Sequence, residues 1–483
     1  MNNLSKRIRV RILGFICYVF LLGFLCMAWM QAFGKDAIRD DAAPEIREAM
    51  KAEERLQEST QESDEQEIDF GKILEMDVRV LIKTSWFEGS LHKEIEVTSD
   101  GDWYVERGKE VECREIYGPG ETVRFTEEDP RFDEGSCVRI GSFRADGKII
   151  LKNIERRQGA PAYRGSVEIN KLPDGMEVIN CVGLEEYLAG VVPSEMPATY
   201  PVEALKAQAI CARTYVVRQM LNVEWPYASA CLDDSTAYQV YADAPEHENA
   251  TRAVQDTEGM ILLHSDGSLE DVHYFSTSCG RGTDASVWED SLTEGIKLPS
   301  DDLEEPVFLR SEEPDDIEFE MPWYRWSYEV KDFDRRAFGE RLQTLLGIEK
   351  HMEFGEVREI AITKRASGGA AKEMMIHTDA GTFYVCGEGR IRCLLCDGKT
   401  AAKRKDGNEV ICEKLLPSAF FLLETRKDDG KVAGYLLTGG GYGHGVGMSQ
   451  NGAKEMALRG KNAEEILRYY FDGCVLKKME EVR

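Results

Sequence analysis

Positive charge is in short supply along this chain. Its 483 residues carry 60 Lys and Arg against 88 Asp and Glu, a formal net charge of −28. That sign repels a phosphate backbone and argues against a nucleic-acid partner, while neutral sugars and cationic partners stay open. Nucleotide-binding loops are lacking as well. The glycine-dense stretch Gly439–Gly452 fits G-x-G-x-x-G in no register, and no G-K-[ST] follows it. No internal repeat is present. Cys393-Leu-Leu-Cys396 has no second close pair to complete a four-ligand metal site, so it reads first as small buried hydrophobes. None of the cysteine spacings suggests a small disulfide scaffold.

Long apolar runs are lacking with one exception. Ile12 to Met30 holds no charged residue and reaches roughly 28 Å at about 1.5 Å per residue, close to a bilayer core. Lys6, Arg7, Arg9 and Arg11 precede it and acidic residues dominate after it. The positive-inside rule then puts the N-terminus in the cytoplasm and the rest outside, on a single-pass anchor in the cell membrane. The rival is a cleaved signal peptide, whose apolar core should be shorter and followed by a small-x-small site. Of the 13 cysteines, Cys17 and Cys26 fall in this run; the odd number outside leaves at least one unpaired, metal-bound or linked to another chain.

The remainder divides by pattern. A basic tail (1–11) and the anchor (12–32) lead to an acidic stretch (33–70) too polar to bury a core, read as a solvated stalk. A β-rich region (71–182) follows, with short alternating runs at Val78–Ile82, Glu94–Val97, Cys137–Ile140, Lys148–Leu151, Tyr163–Ile169 and Glu177–Val182. Residues 183–290 begin a helical core: a helix from Leu184, a loop between Pro193 and Pro197, and a long helix opened by Pro201. Leu205, Ala209, Ala212, Val216 and Met220 form its apolar stripe, with Lys206 and Arg213 beside it. A mixed insertion or second lobe (291–425) separates this core from a Gly-rich histidine loop and two closing helices (426–483), the last capped by Asn462 with Glu465. The fold class expected is α+β: a membrane-anchored chain whose β-rich N-terminal domain packs on a mixed α/β core.

Four constellations carry chemistry. Glu195 sits between two prolines, just ahead of a helix bearing Lys206 and Arg213. A rigid, partly desolvated carboxyl is what single-acid glycan chemistry requires, although Lys206 and Arg213 read equally well as a solvated basic edge. Ser235–Tyr241 offers hydroxyls, the Gln239 amide and the Tyr238 ring, groups that hold sugars, though such stretches are commonly plain loops. His273 and Cys279 are spaced as two zinc ligands, which Cys231, Asp284 or His444 would have to complete; a Cys279 nucleophile is a further option. His444, flanked by glycines, suits ligand contact in an open, mobile loop better than a core position.

Taken together, these blocks resemble the stage II sporulation protein D family, the SpoIID/LytB-type lytic transglycosylases. Leu184–Leu188, Gly190–Pro197, Glu203–Ala209, Ala212–Tyr215, Gln239–Tyr241 and Gly443–Gln450 match its signature in order, and the resemblance spans roughly 76–475. It implies Glu195 as catalytic acid and charged positions near a cleft at Lys206 and Arg213, here expected to touch substrate. Gln208, Tyr238, Gln239, Ser276 and His444 are further expected cleft residues. It implies a lytic transglycosylase that cleaves the MurNAc–GlcNAc bond of peptide-stripped peptidoglycan strands during sporulation engulfment, with a cell-wall amidase and other engulfment membrane proteins as partners. No cofactor is required. Some relatives hold zinc through a pair spaced like His273 and Cys279 plus a second pair, but Asp284 and Ala285 stand about where that second pair should be. The alternative function is a non-catalytic, glycan-binding enhancer of an amidase.

Overall fold

The computed structural model describes residues 70–107, 114–132, 137–222, 224–288, 305–311, 313–347 and 353–482. The expected anchor (12–32) and nearly all of the acidic stretch lie outside them. Among the described residues no helix is long and apolar enough to cross a membrane.

Alternating strands build the N-terminal part, as their pattern predicts. A seven-stranded sheet runs in the order Leu232–Asp233, Val78–Leu81, Gly175–Val182, Ser166–Leu172, Cys137–Ser142, Trp103–Arg107 and Arg114–Tyr117. A four-stranded sheet orders Val123–Thr126, Glu94–Ser99, Ile149–Leu151 and Ala162–Tyr163. The run expected as one strand over Tyr163–Ile169 is thus two, divided between the sheets. One pairing matters for function. Val80 and Leu81 pair in parallel with Leu232 and Asp233, which delivers the loop after Asp234 to the helical layer. Asp234 is pinned there by the Lys83 N–H at 3.0 Å and by a buried ion pair to Arg156 at 2.6 Å.

Among the described residues the α-helices are α1 (Phe70–Leu74), α2 (Leu184–Glu195), α3 (Val202–Leu221), α4 (Glu248–Asp256), α5 (Arg335–Leu346), α6 (Glu388–Leu395), α7 (Gln450–Leu458) and α8 (Ala463–Tyr470). Two expectations are corrected. The segment expected as a loop from Pro193 is helical through Glu195. Pro193 removes one N–H, but the Ser194 hydroxyl donates to the Gly190 carbonyl at 2.7 Å and the Met196 N–H reaches Val192 at 3.0 Å, closing the last turn. Helix α3 is not a surface helix with one apolar stripe. Ala204, Ala207, Ala209 and Ala212 let α2, α4, α7 and α8 approach it from several sides, and Gln208, Arg213 and Thr214 are buried with them.

Both sheets and these helices share one continuous apolar core that runs from Phe70 to Met479, including α7 and α8. A second core, from Cys279 to Val446, is built on a five-stranded and a three-stranded sheet with α5 and α6. The chain leaves the first core near residue 279 and returns where Met448–Ser449 pairs in parallel with Tyr274–Phe275. Ser449 caps α7 through the Gly452 N–H, and the Asn462–Glu465 capping box opens α8 as expected. The ten described cysteines are free thiols.

Candidate active site

Glu195 ends α2, half-buried, at the junction of three segments. From the loop after Asp234, the Val240 N–H donates to its Oε1 at 2.6 Å. From α7, Gln450 Nε2 donates to its carbonyl oxygen at 3.2 Å. The Tyr274 hydroxyl, from the strand paired with Met448–Ser449, faces the carboxyl without a well-formed hydrogen bond. Burial raises the Glu195 carboxyl to about 7, opposed by Val240, Tyr274 and Gln450. All the groups described as acting on it are neutral.

Backbone contacts hold this junction. Ser194 Oγ accepts the Asp243 and Ala244 N–H groups at 3.1 and 3.2 Å, stitching the loop to α2. Gly190 allows that approach, because a Cβ there would lie 2.5 Å from the Tyr241 ring. Gly447 has φ +74°, and a Cβ would meet the His273 carbonyl at 2.1 Å, so the returning chain can lie flat on the 273–275 segment. A shallow open groove follows the same loop past Ala242, Asp243 and Glu246, facing Gly159–Pro161; Glu195 does not line it.

The other expected site residues fall into distinct environments. Gln208 is fully buried next to the junction; its Oε1 meets Gln450 Nε2 at 3.5 Å, and its own Nε2 has no partner among the described residues. Ser276 is half-buried, and its carbonyl accepts from the Asn451 N–H at 3.0 Å, fixing the start of α7. Tyr238 is half-buried with its ring 6.3 Å from Tyr227.

Five expectations are corrected. Gln239 is fully buried with both amide ends engaged, accepting from the Tyr187 hydroxyl at 3.1 Å and donating to the Ala212 carbonyl at 3.2 Å. It therefore positions Val240 and leaves no group for a sugar. Arg213 is fully buried and forms a two-pronged ion pair with Glu185 at 2.7 and 2.6 Å, with its remaining donors on the Met260 and Val254 carbonyls. It cannot reach a substrate. Lys206 pairs with Glu203 at 3.1 Å and Asp256 at 3.2 Å, partners that hold it on α3 and α4. His444 is not a mobile ligand contact. Its Nδ1 accepts the Val446 N–H at 3.1 Å, which leaves the proton on Nε2 to donate to the Tyr274 carbonyl at 3.0 Å. Burial, then the neighbouring His273 and Arg392, lowers the ring to about 3, so it stays neutral and braces Tyr274.

The zinc reading fails last. His273 lies against Asp271, Trp288 and His444, whereas the Cys279 thiol points to the Arg281 carbonyl at 3.7 Å within the second core. Burial pushes that thiol up to about 12, the wrong form for a nucleophile. Among the described residues no third donor joins the pair. Cys231 bonds the Arg79 carbonyl, and Asp284 caps the Ser286 N–H. The residues do not fit a zinc ion at this place.

Sequence reasoning missed Glu318. Almost fully buried, it accepts from the Ser278 N–H and the Ser449 hydroxyl, both at 2.8 Å, and burial raises it to about 8. It ties the second lobe to the start of α7. In the sequence it sits in the acidic run Glu312–Glu320, which reads as solvated; the flanking Ile317 and Phe319 are the one local sign of burial.

Residues 173–264 match the family described as stage II sporulation protein, and residues 300–447 match a domain of unknown function. Stage II sporulation protein D of Bacillus subtilis (strain 168) is 30% identical over 343 residues, 66% of this chain and 84% of that protein. The protein of the same name from Bacillus amyloliquefaciens is 30% identical over 368 residues, covering 72% of this chain and 89% of its own length. A Bacillus subtilis protein named amidase enhancer is 28% identical over 307 residues, 60% of this chain and 40% of the relative. The chain belongs to the stage II sporulation protein D family.

Proposed function

We propose that this protein is a peptidoglycan lytic transglycosylase with Glu195 as its single acid and base. One observation carries the reading. Among the described residues Glu195 is a carboxyl without a cationic partner, raised to about 7 by burial, with the Val240 N–H on its Oε1 and the Tyr274 hydroxyl facing it. Such a carboxyl is protonated often enough near neutral pH to act as an acid.

The reaction follows from having one carboxyl. Glu195 gives its proton to the glycosidic oxygen between MurNAc C1 and GlcNAc as that C–O bond breaks. The 6-hydroxyl oxygen of the same MurNAc attacks C1, and its proton passes to the Glu195 carboxylate. An anhydro ring forms, no water enters, and the acid is restored. Glycosidases that use water or a covalent intermediate need a second carboxylate, which this route omits. Val240 orients the carboxyl through its N–H, while Gln450 fixes the backbone that carries it. The expected anchor at 12–32 would hold the site outside the cell membrane, with peptide-stripped glycan as substrate and a cell-wall amidase as the enzyme that prepares it.

Purified protein incubated alone with peptide-stripped glycan strands tests this by mass spectrometry of the products. New anhydro ends, absent with Glu195→Gln, are expected. The relative named amidase enhancer favours a second reading, a glycan-binding module that stimulates an amidase. Binding or stimulation with no new chain ends would support that module and sink the enzyme.

A further inference from the structure

Away from Glu195, His264, Glu270 and Cys474 bring three different donor types together. Their ligand atoms all lie within 4.8 Å of one another. His264 Nε2 is 3.0 Å from Glu270 Oε2, Cys474 Sγ is 3.7 Å from His264 Nδ1, and the thiol donates to Glu270 Oε2 at 2.7 Å. Secondary structure fixes all three positions. Leu263 pairs with Val475 in the antiparallel sheet of Met260–Leu263 and Val475–Lys478, so residues 264 and 474 leave the same end of the sheet side by side. A tight turn, with the His264 N–H on the Ser268 carbonyl at 2.8 Å and the Glu270 N–H on Leu262 at 3.1 Å, brings Glu270 back beside them.

We propose that His264, Glu270 and Cys474 form a divalent metal site, best suited to Zn²⁺, with a solvent molecule as fourth ligand. Imidazole, thiolate and carboxylate together match a borderline-soft cation; the thiolate disfavours Ca²⁺ and Mg²⁺, which take oxygen ligands. Zinc bonds of about 2.0 Å to nitrogen and 2.3 Å to sulfur set those donors about 3.5 Å apart in a tetrahedron, close to the 3.7 Å between Cys474 Sγ and His264 Nδ1; the exposed ring gives up the Nε2 contact to Glu270 as it turns Nδ1 to the ion. The sulfur–oxygen pair, now joined by a proton, has to open by somewhat under 1 Å as the metal replaces that proton, which leaves to solvent. The His264 side chain is 45% exposed while Glu270 and Cys474 are largely buried, which gives an entry path and an open coordination position on one side.

Such an ion would clamp the C-terminal strand to Met260–Leu263. That strand meets α3 where the Met260 carbonyl accepts from Arg213 and the Leu262 N–H donates to Thr214. The role is structural and separate from the sugar chemistry. It also differs from the His273–Cys279 pair, whose donors diverge.

Tag-free, full-length protein stripped of metal and titrated with Co²⁺ tests the site. One equivalent should produce a thiolate-to-cobalt charge-transfer band that is lost in Cys474→Ser, at least tenfold weaker in His264→Ala and unchanged in His273→Ala. Zn²⁺ should raise the melting temperature of the wild type and not that of His264→Ala, a change at an exposed ring that spares the fold. A band that survives in Cys474→Ser, a band lost in His273→Ala, or equal melting shifts in wild type and His264→Ala would overturn the proposal.

Discussion

The two ends of α2 hold carboxyl groups in opposite circumstances. Glu185, in the first turn, meets the guanidinium of Arg213 edge to edge and also accepts the Gly259 N–H at 3.2 Å. Glu195, the last residue, meets one backbone N–H and neutral side chains. The helix dipole adds to the contrast, favouring negative charge at the first turn and opposing it at the last. A paired carboxylate is thereby fixed as structure. An unpaired one is held near neutrality, where a proton can move. The family signature contains both acids and the arginine; only the fold decides which acid receives the cation.

The largest effect separates the two ends by chemistry. Glu195→Gln is expected to lower glycan cleavage by about 10²- to 10⁴-fold, the usual range for a lost general acid. Product counts by mass spectrometry check this, with near-UV circular dichroism confirming that the fold persists. Breaking the other end should act on stability instead. Arg213→Met leaves Glu185 without its partner and should cost about 3 kcal/mol in urea unfolding, the low end for a broken buried pair because Glu185 is partly exposed. A change below about 1 kcal/mol would mean that Arg213 is not the structural cation described here.

Stability against pH sharpens the comparison further. The folded-state pKa of Glu195 is raised, so the fold favours its neutral form. The stability this contributes is full below the unfolded value of about 4.5 and is lost as pH rises through about 7. The wild type should therefore lose about 2 kcal/mol relative to Glu195→Gln between pH 4.5 and 8, after some discount for partial exposure. Cleavage should fall about tenfold per pH unit above about 7 as the acid is lost. The smallest effect concerns Lys206. Its ion pairs with Glu203 and Asp256 are partly solvated, so Lys206→Ala should change stability by less than about 1 kcal/mol and leave cleavage intact. A drop in cleavage beyond tenfold would return Lys206 to the substrate.

Local signals proved the legible ones. Most of the strand alternation, the helix starting at Leu184 and the Asn462–Glu465 box are written within a few residues and fold as written. Glu195 stood out because its motif is local too. What escaped were choices made over long sequence distances. Arg213 finds Glu185 across two helices, a pairing no spacing encodes. The alanines of α3 count as a modest apolar stripe in periodicity, yet their small volume is what lets neighbours bury the helix on several sides. His444 looked free among glycines because those glycines were read as mobility; they instead let the chain press onto residues 273–275 and fill both ring nitrogens. Glu318 was hidden among acids that differ from it only in tertiary environment.

The proposed single-acid chemistry needs a proton held by Glu195 near neutral pH. Carbon-13 NMR of protein labelled at glutamate carboxyls, with Glu195→Gln to assign the resonance, measures it directly. A midpoint of about 7 is predicted; a midpoint near the ordinary glutamate value of about 4.3 would contradict it.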